Sequence, residues 1–294
     1  MTPINIQFTR FSAFYSPLIA TAAGGFLADE GLEPALSIAP PGVSAIAALL
    51  DGSAHVVQSA PSQGLSSLEK GENPPAVHFA QVNEKDGFFL TGRAPDTAFA
   101  WSKLAGKRVL VDHGGQPLAM FKYACKKQGL DYDSIIAVDA GNVGEMDAAF
   151  RAGEGDYIHQ QGPAPQQLEH DGVGFVVTGL GDAIGPCAFS SLAATREWLQ
   201  TDMARAFTRA YAKARKWINA TPAAEIAAVE REHFPEIDPA VLASTIAAYQ
   251  KLGNWSEHVE ITRAAFEVTL DVFANVGRTV EGDAYAKVVA PPPV

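Results

Sequence analysis

One layout is written twice in this chain, about a hundred residues apart, and that doubling restricts the fold more than any other feature. The strand-like run Ile4-Asn5-Ile6-Gln7-Phe8 precedes Pro17-Leu18. A second run, Arg108-Val109-Leu110-Val111, precedes Pro117-Leu118, 100 residues further on. The helix after each proline stops at Gly-Leu, at Gly31-Leu32 and at Gly129-Leu130, 98 residues apart. Ala48-Leu49-Leu50-Asp51-Gly52-Ser53-Ala54-His55-Val56-Val57-Gln58 then answers to Ala149-Phe150-Arg151-Ala152-Gly153-Glu154-Gly155-Asp156-Tyr157-Ile158-His159, with Gly52 and Gly153 101 residues apart. Near-constant spacing over three landmarks predicts two lobes of one architecture with a cleft between them. Clefts at domain interfaces are where small ligands bind. Two copies are too few for a solenoid.

The bulk numbers narrow the function classes. With 294 residues, 47% hydrophobic and 19% charged, the chain has the composition of an ordinary globule with a sizeable core. A net charge of −11, with no basic run, argues against a nucleic-acid partner. No apolar run is long enough to cross a membrane, so no membrane insertion is expected. Cys125 and Cys187 fit neither a Cys-x-x-Cys nor a zinc spacing and are expected to be buried small hydrophobes. The seven histidines show no close helical ligand spacing, so neither a metal nor a cofactor is expected. Met1-Thr2-Pro3-Ile4 lacks a basic region followed by an apolar core, so no signal peptide is visible and a cytoplasmic residence stays open.

Strands and helices alternate through both copies. The first copy predicts a strand over Ile4–Phe8 and one helix from Leu18 to about Asp29. A strand over Pro34–Ala39 follows, broken by Pro40-Pro41-Gly42. Next come a helix over Ala45–Leu50, a strand over His55–Gln58, a helix over Gln63–Lys70 capped by Ser62, and a strand over Val77–Val82. Phe88-Phe89-Leu90 leaves the first lobe. The second copy runs through a short helix over Trp101–Lys107 and strands at Val109–Asp112, Ile135–Val138, Tyr157–Gln160 and Phe175–Thr178. Ala188–Leu192 returns the chain. From Thr195 the spacing is helical, and those helices are expected on lobe one. The class is α/β, with mostly parallel sheets covered by helices on both faces. The expected division is residues 1–88 with 188–294 as lobe one and 89–187 as lobe two.

In a parallel sheet ligands sit at the carboxyl ends of the strands, where helix N-termini offer unpaired N–H groups. The candidate contacts are therefore Arg10, Phe11, Ser12, Tyr15, Gln58, Ser59 and Ser62 in lobe one. In lobe two they are Asp112, His113, Gly114, Gly115, Gln116, Asn142, His159, Gln160 and Gln161. His113-Gly114-Gly115-Gln116-Pro117 is the sharpest local signal, because two glycines let backbone approach a ligand or serve a tight turn. It is not a phosphate P-loop, since no Gly-Lys-Ser/Thr follows. Gln58 and His159 occupy matching places in the two copies. Amides that donate and accept suit a polar or heteroaromatic ligand, and ordinary turn capping is the competing use. Phe14 reads as core. Asp112 beside His113 is the one pairing that suggests acid–base chemistry, and a hydrogen-bonding pair explains it equally well. Trp255 and His258 read as packing residues.

The order of these elements is similar to the NMT1/THI5-like and SsuA-like solute-binding proteins. Phe14-Tyr15-Ser16-Pro17-Leu18 precedes Ala22-Ala23-Gly24-Gly25-Phe26-Leu27-Ala28-Asp29-Glu30-Gly31-Leu32-Glu33, where the family has A-x-x-x-G-Y/F-F-x-x-E-G-L-x-V. Ala48–His55 resembles the family's A-L-x-x-G-x-x-D, with His55 in place of the usual Asp, and Leu104–Val109 resembles L-x-G-K-x-V. The resemblance implies a two-lobed type II periplasmic-binding-protein fold with the C-terminal helices on lobe one. It further implies a periplasmic receptor that takes a small polar, anionic or heteroaromatic ligand to the permease subunits of an ABC importer, without catalysis. The alternative is a cytosolic enzyme of the same fold, of the pyrimidine-synthase or the small-acid decarboxylase or dehydratase kind. The cysteine-rich iron motif of the pyrimidine synthase has no counterpart here. A regulator's effector domain shares the fold too, but no DNA-binding helices precede the first strand.

Overall fold

The computed structural model describes residues 1–40 and 42–294. Ten strands are β1 (Thr2–Phe8), β2 (Leu32–Ile38), β3 (Val56–Ser59), β4 (Val77–Asn83), β5 (Phe88–Gly92), β6 (Arg108–Leu110), β7 (Ile136–Val138), β8 (Tyr157–Gln161), β9 (Phe175–Gly179) and β10 (Ser190–Ala194). They form two five-stranded sheets, ordered β2-β1-β3-β10-β4 and β7-β6-β8-β5-β9. By contact the chain divides into two compact units. One holds Met1–Glu84, Cys187–Leu270 and Thr279–Val294; the other holds Lys85–Pro186 and Asp271–Arg278. The division expected from the sequence, cut at 88 and 188, leaves residues 271–278 with lobe one, whereas their contacts group them with the second unit.

The doubled layout is a doubled topology. β1 is parallel to β2 and β3, and β6 is parallel to β7 and β8. The fourth strand of each sheet, β10 or β5, runs against both its neighbours. Register makes the equivalence residue by residue. Ile6 faces Val56 and Gln7 faces Val57 in the first sheet; Val109 faces Tyr157 and Leu110 faces Ile158 in the second. Gln58 and His159 are the next residues along, so they hold one structural position.

The first unit buries Ile4, Ile6 and Phe8 on β1, alternating with half-exposed Asn5 and Gln7, as a sheet with one deeper face requires. The long helix Asp202–Ala220 covers it with Ala204, Phe207, Tyr211 and Ala214, and Phe207 meets Phe79 of β4 edge-on at 6.2 Å. The second unit has its own apolar cluster of Leu110, Met146, Phe150, Ile158 and Leu168. Both cysteines are buried, as expected of small hydrophobes, and burial pushes the Cys125 thiol up to about 12.

Three sequence expectations need correction. The helix predicted from Leu18 to Asp29 is two helices, Ser16–Ala23 and Phe26–Asp29. Gly25 separates them at φ 81°, a left-handed conformation that costs glycine nothing. Ser62 is the first residue of its helix rather than its cap; Pro61 precedes it and no side chain caps that end. The predicted helix Trp101–Lys107 is a single 3₁₀ turn, Trp101–Leu104. Of the breaker Pro40-Pro41-Gly42, Pro41 lies outside the described residues.

The His55 departure has a physical account. Asn5 N–H donates to His55 Nδ1 at 2.9 Å, and at the equivalent place in the second unit Arg108 N–H donates to Asp156 Oδ2 at 2.9 Å. The imidazole takes over the acceptor role of the carboxylate, and only its neutral form can. Burial lowers its pKa, so its contribution is full above the ordinary value near 6.5 and is lost as pH falls. His55→Asp is therefore expected to flatten the acid side of the stability profile, because a carboxylate stays an acceptor down to about pH 4. Urea midpoints compared between neutral and mildly acidic buffer check this; parallel profiles for the two proteins would remove the assignment.

Candidate functional site

Each sheet ends in a polar edge, and each edge stands on its own residues. In the first unit β1 and β3 deliver Thr9, Gln58 and Ser59 to the carboxyl edge. Thr9 donates twice to Gln58 Oε1, from its backbone N–H at 3.2 Å and from Oγ1 at 2.5 Å. That fixes the amide's orientation and turns its NH₂ toward Ser59 O, at 3.3 Å. Ser12 is buried and its Oγ accepts from Phe14 N–H at 3.2 Å. Arg10 is exposed, and Phe11 is half-buried between Phe8 and His233, each 5.0 Å away. Tyr15 and Ser62 are nearly covered. Phe14 is fully buried, as its reading as core requires. Trp255 packs there too and donates to Asn83 Oδ1 at 2.9 Å.

In the second unit the loop after β6 turns on its own side chains. Asp112 Oδ1 accepts from Gly114 N–H at 2.8 Å, and His113 Nδ1 donates to Val111 O at 2.7 Å. Each is committed to backbone, and His113 approaches Asp139 Oδ1 at 3.9 Å instead of pairing with Asp112. The helix Gly115–Lys127 starts directly at Gly115. Neither Gly114 nor Gly115 has a positive φ, and nothing lies within 4 Å of where a Gly115 Cβ would stand. The glycines thus add no side chain of their own at the N-terminus of a 13-residue helix.

Asn142 spends its side chain on the next helix, Val143–Arg151. Its Oδ1 accepts from Gly144 and Glu145 N–H at 3.0 and 3.2 Å, and Glu145 returns the bond to Asn142 N–H at 2.7 Å. This is a complete capping box. Asn142→Ala is expected to lose about 1 kcal/mol of stability, read as a lower urea midpoint at unchanged slope. A loss of ligand affinity without that stability loss would reverse the assignment.

β8 separates the three residues the sequence placed together. Successive side chains on a strand point to opposite faces. Gln160 therefore shares the face of Ile158, where its Nε2 reaches Asp147 Oδ1 at 3.5 Å. His159 and Gln161 share the other face. His159 is fully buried, with its ring 4.7 Å from Phe88 and 4.9 Å from Phe121. Neither ring nitrogen has a hydrogen-bond partner among the described residues, and burial together with nearby His113 drops its pKa to about 3.

The sequence reading missed Asp86. The candidate contacts lie in loops that follow parallel strands, whereas Asp86 precedes β5. β5 runs against β8, pairing Phe88 with Gln161, so the residues that enter β5 stand at the same edge where β8 ends. Asp86 is fully buried there. Its Oδ1 accepts from Phe88 N–H at 2.7 Å and its Oδ2 has no hydrogen-bond partner among the described residues. Burial, with Asp112's charge adding to it, pushes its pKa up to about 8. Asn83 and Ser190, bonded at 2.7 Å, are the counterparts on the first unit's edge, brought there by antiparallel β10. No group of His, Cys, Asp and Glu that would hold a metal ion occurs among the described residues. Among those residues, no helix is long and apolar enough to cross a membrane.

These edges and the doubled topology can be set beside known proteins. A profile described as NMT1/THI5 like matches residues 13–225. The chain belongs to that family. YtlA, a candidate binding protein of Bacillus subtilis (strain 168), is 26% identical over 296 residues, covering 98% of this chain and 88% of YtlA. The ligand-binding component of an ABC-type import system from Staphylococcus aureus, with zinc bound, superposes with a TM-score of 0.74 at 16% identity, over 99% of this chain and 97% of its own. The periplasmic aliphatic sulphonate binding protein SsuA of Escherichia coli gives a TM-score of 0.74 at 13% identity, over 98% and 97%. This NMT1/THI5-like chain has the periplasmic-binding-protein fold.

Proposed function

We propose that the protein is a solute receptor. It binds a small polar, anionic or heteroaromatic molecule and presents it, unchanged, to the membrane subunits of an ABC-type importer. The observation that carries this reading is the matched pair of edges. Each unit brings an amide or imidazole at one register position, Gln58 or His159, to a carboxyl edge of its sheet. The family and its similarity to import-system components favour a receptor placed outside the cytoplasmic membrane. Residues proposed to contact solute are Ser12, Tyr15, Gln58, Ser59 and Ser62 from the first edge. From the second they are His113, the helix start at Gly115, His159 and Gln161. Arg10, Phe11, Asp112 and Gln116 stand beside them. Asn142 and Gln160 have local partners and contribute less.

Binding to the folded state alone stabilises it by about 2.7 kcal/mol at a hundredfold excess over Kd. A thermal-shift panel of small sulfonates, carboxylates, pyrimidines and amines is expected to yield a hit that mass spectrometry recovers intact. Alanine at Gln58, His113 and His159 should weaken that hit. Conversion of the hit by the protein alone would replace the receptor reading with an enzyme. Unchanged affinity in all three variants would move the site elsewhere.

A further inference from the structure

The second unit's edge contains buried polar atoms left without hydrogen-bond partners among the described residues. Asp86 Oδ2 and both His159 ring nitrogens are fully buried and unpartnered among the described residues. Both residues stand against Phe88. The Phe88 N–H binds the Asp86 carboxyl at 2.7 Å, and the Phe88 ring lies 4.7 Å from the His159 ring. A buried carboxyl without a second partner and a buried imidazole without any are both costly. Groups of that kind persist where a ligand supplies the missing half of the bond.

The charge around Asp86 and His159 selects the ligand's sign. Asp112 is close enough to disfavour ionisation of Asp86, and Asp139 lies within 3.9 Å of His113 on the same edge. Lys85, the residue before Asp86, has Asp182 as a counter-ion at 3.4 Å. The titratable groups facing Asp86 and His159 are thus Asp112 and His113 from the loop after β6, with the Lys85–Asp182 pair beside β5. An anion entering here meets carboxyl groups. A nitrogen cation with two or more N–H bonds meets acceptors.

We propose that the niche formed by Asp86 and His159 binds an amidinium, guanidinium or ammonium group of the transported solute. This rests on the receptor reading and specifies its ligand. On binding, Asp86 gives its proton to solvent and its carboxylate accepts N–H bonds from the cation, while neutral His159 accepts another at one ring nitrogen. The cation replaces the lost proton, so the niche stays electrically balanced.

Calorimetry with four compounds on one ring tests this: benzamidine, benzamide, benzoate and benzenesulfonate. Benzamidine is expected to bind most tightly. Near neutral pH its binding should release about one proton, measured from the dependence of the heat on buffer ionisation enthalpy. Asp86→Asn, checked for folding by circular dichroism, should weaken benzamidine about tenfold or more and abolish the proton release. Tighter binding of benzoate or benzenesulfonate, absence of benzamidine binding, unaltered affinity in Asp86→Asn, or binding without proton release would each overturn the proposal. Intact binding of an anion in place of benzamidine would do so while leaving the receptor reading standing. The wild-type proton count decides the matter even if Asp86→Asn does not fold.

Discussion

Replacing Arg215 by Met is expected to destabilise the protein by about 4 kcal/mol. Arg215 sits on the helix Asp202–Ala220 and is completely buried. Its Nη1 donates to Gln81 O at 2.7 Å, Val82 O at 3.2 Å and Tyr211 Oη at 3.1 Å, while its Nη2 donates to Ser256 O and to Ser256 Oγ, the latter at 2.9 Å. One planar fork thus ties the helix to the end of β4 and to the segment around Ser256. Bonds from a charged donor contribute about 1.5–3 kcal/mol each, and a buried carbonyl left without its donor costs about 1–3 kcal/mol. Methionine keeps the aliphatic stem and its packing but returns none of those bonds. Gln81 O retains the Tyr211 hydroxyl at 2.7 Å, which limits the loss. Equilibrium urea unfolding should show a lower midpoint at unchanged slope. A shift below about 1 kcal/mol would mean that these carbonyls find other partners. Arg215→Lys should recover only part of the loss, because one ammonium cannot span carbonyls on two segments. The effect reaches the site because Asn83, which ends β4, is the next residue but one after Gln81 and belongs to the first unit's polar edge.

What the sequence made legible follows from what repeats in it. The glycine at 52 and again at 153, and the alternation of Ile4, Ile6 and Phe8, are local signals. Register then turns them into the equivalence of Gln58 and His159. The residues that escaped reading depend on direction and depth. Asp86 precedes a strand, and only the antiparallel course of β5 brings it to the edge where the parallel strands end. Gln160 sits beside His159 in sequence, and strand alternation sends it to the other face. Arg215 reads as one more cation on an amphipathic helix; its burial is set by Gln81, 134 residues earlier. Gly24-Gly25 looks like a tolerated pair inside a helix until the backbone turns left-handed at Gly25, φ 81°. Asp112-His113 reads as a pair, but each side chain finds a backbone partner within two residues and the two never need each other.

Asp86→Asn is expected to act in the opposite direction to Arg215→Met, stabilising the ligand-free protein by an amount that grows with pH. In the folded state Asp86 holds its proton up to about pH 8, against an ordinary value of 3.8. Between those values the folded state binds a proton that the unfolded chain releases, so stability falls as pH rises through the window and levels off above it. Each unit of pH costs about 1.4 kcal/mol, which amounts to about 4 kcal/mol by neutral pH. Asparagine has the same shape, keeps an oxygen for the Phe88 N–H at 2.7 Å, and cannot ionise. Buried His78 and His159, held near pKa 3, impose an opposite slope on the acid side, as does His55 more weakly. Glu230, buried with Ser16 on one oxygen, adds a slope of the same sign as Asp86. His55, His78 and Glu230 are common to wild type and variant and cancel in the difference, so what remains belongs to Asp86 and its neighbour His159. Unfolding free energies measured across the range from mildly acidic to mildly alkaline should converge at the acid end and separate steadily toward pH 8. A constant difference would show that Asp86 does not change its protonation on folding, and the niche around His159 would then hold a carboxylate already matched. If the curves do separate, the wild-type chain holds at Asp86 a side chain that weakens its own fold. The same substitution should then remove the amidinium site, because one proton sets both quantities.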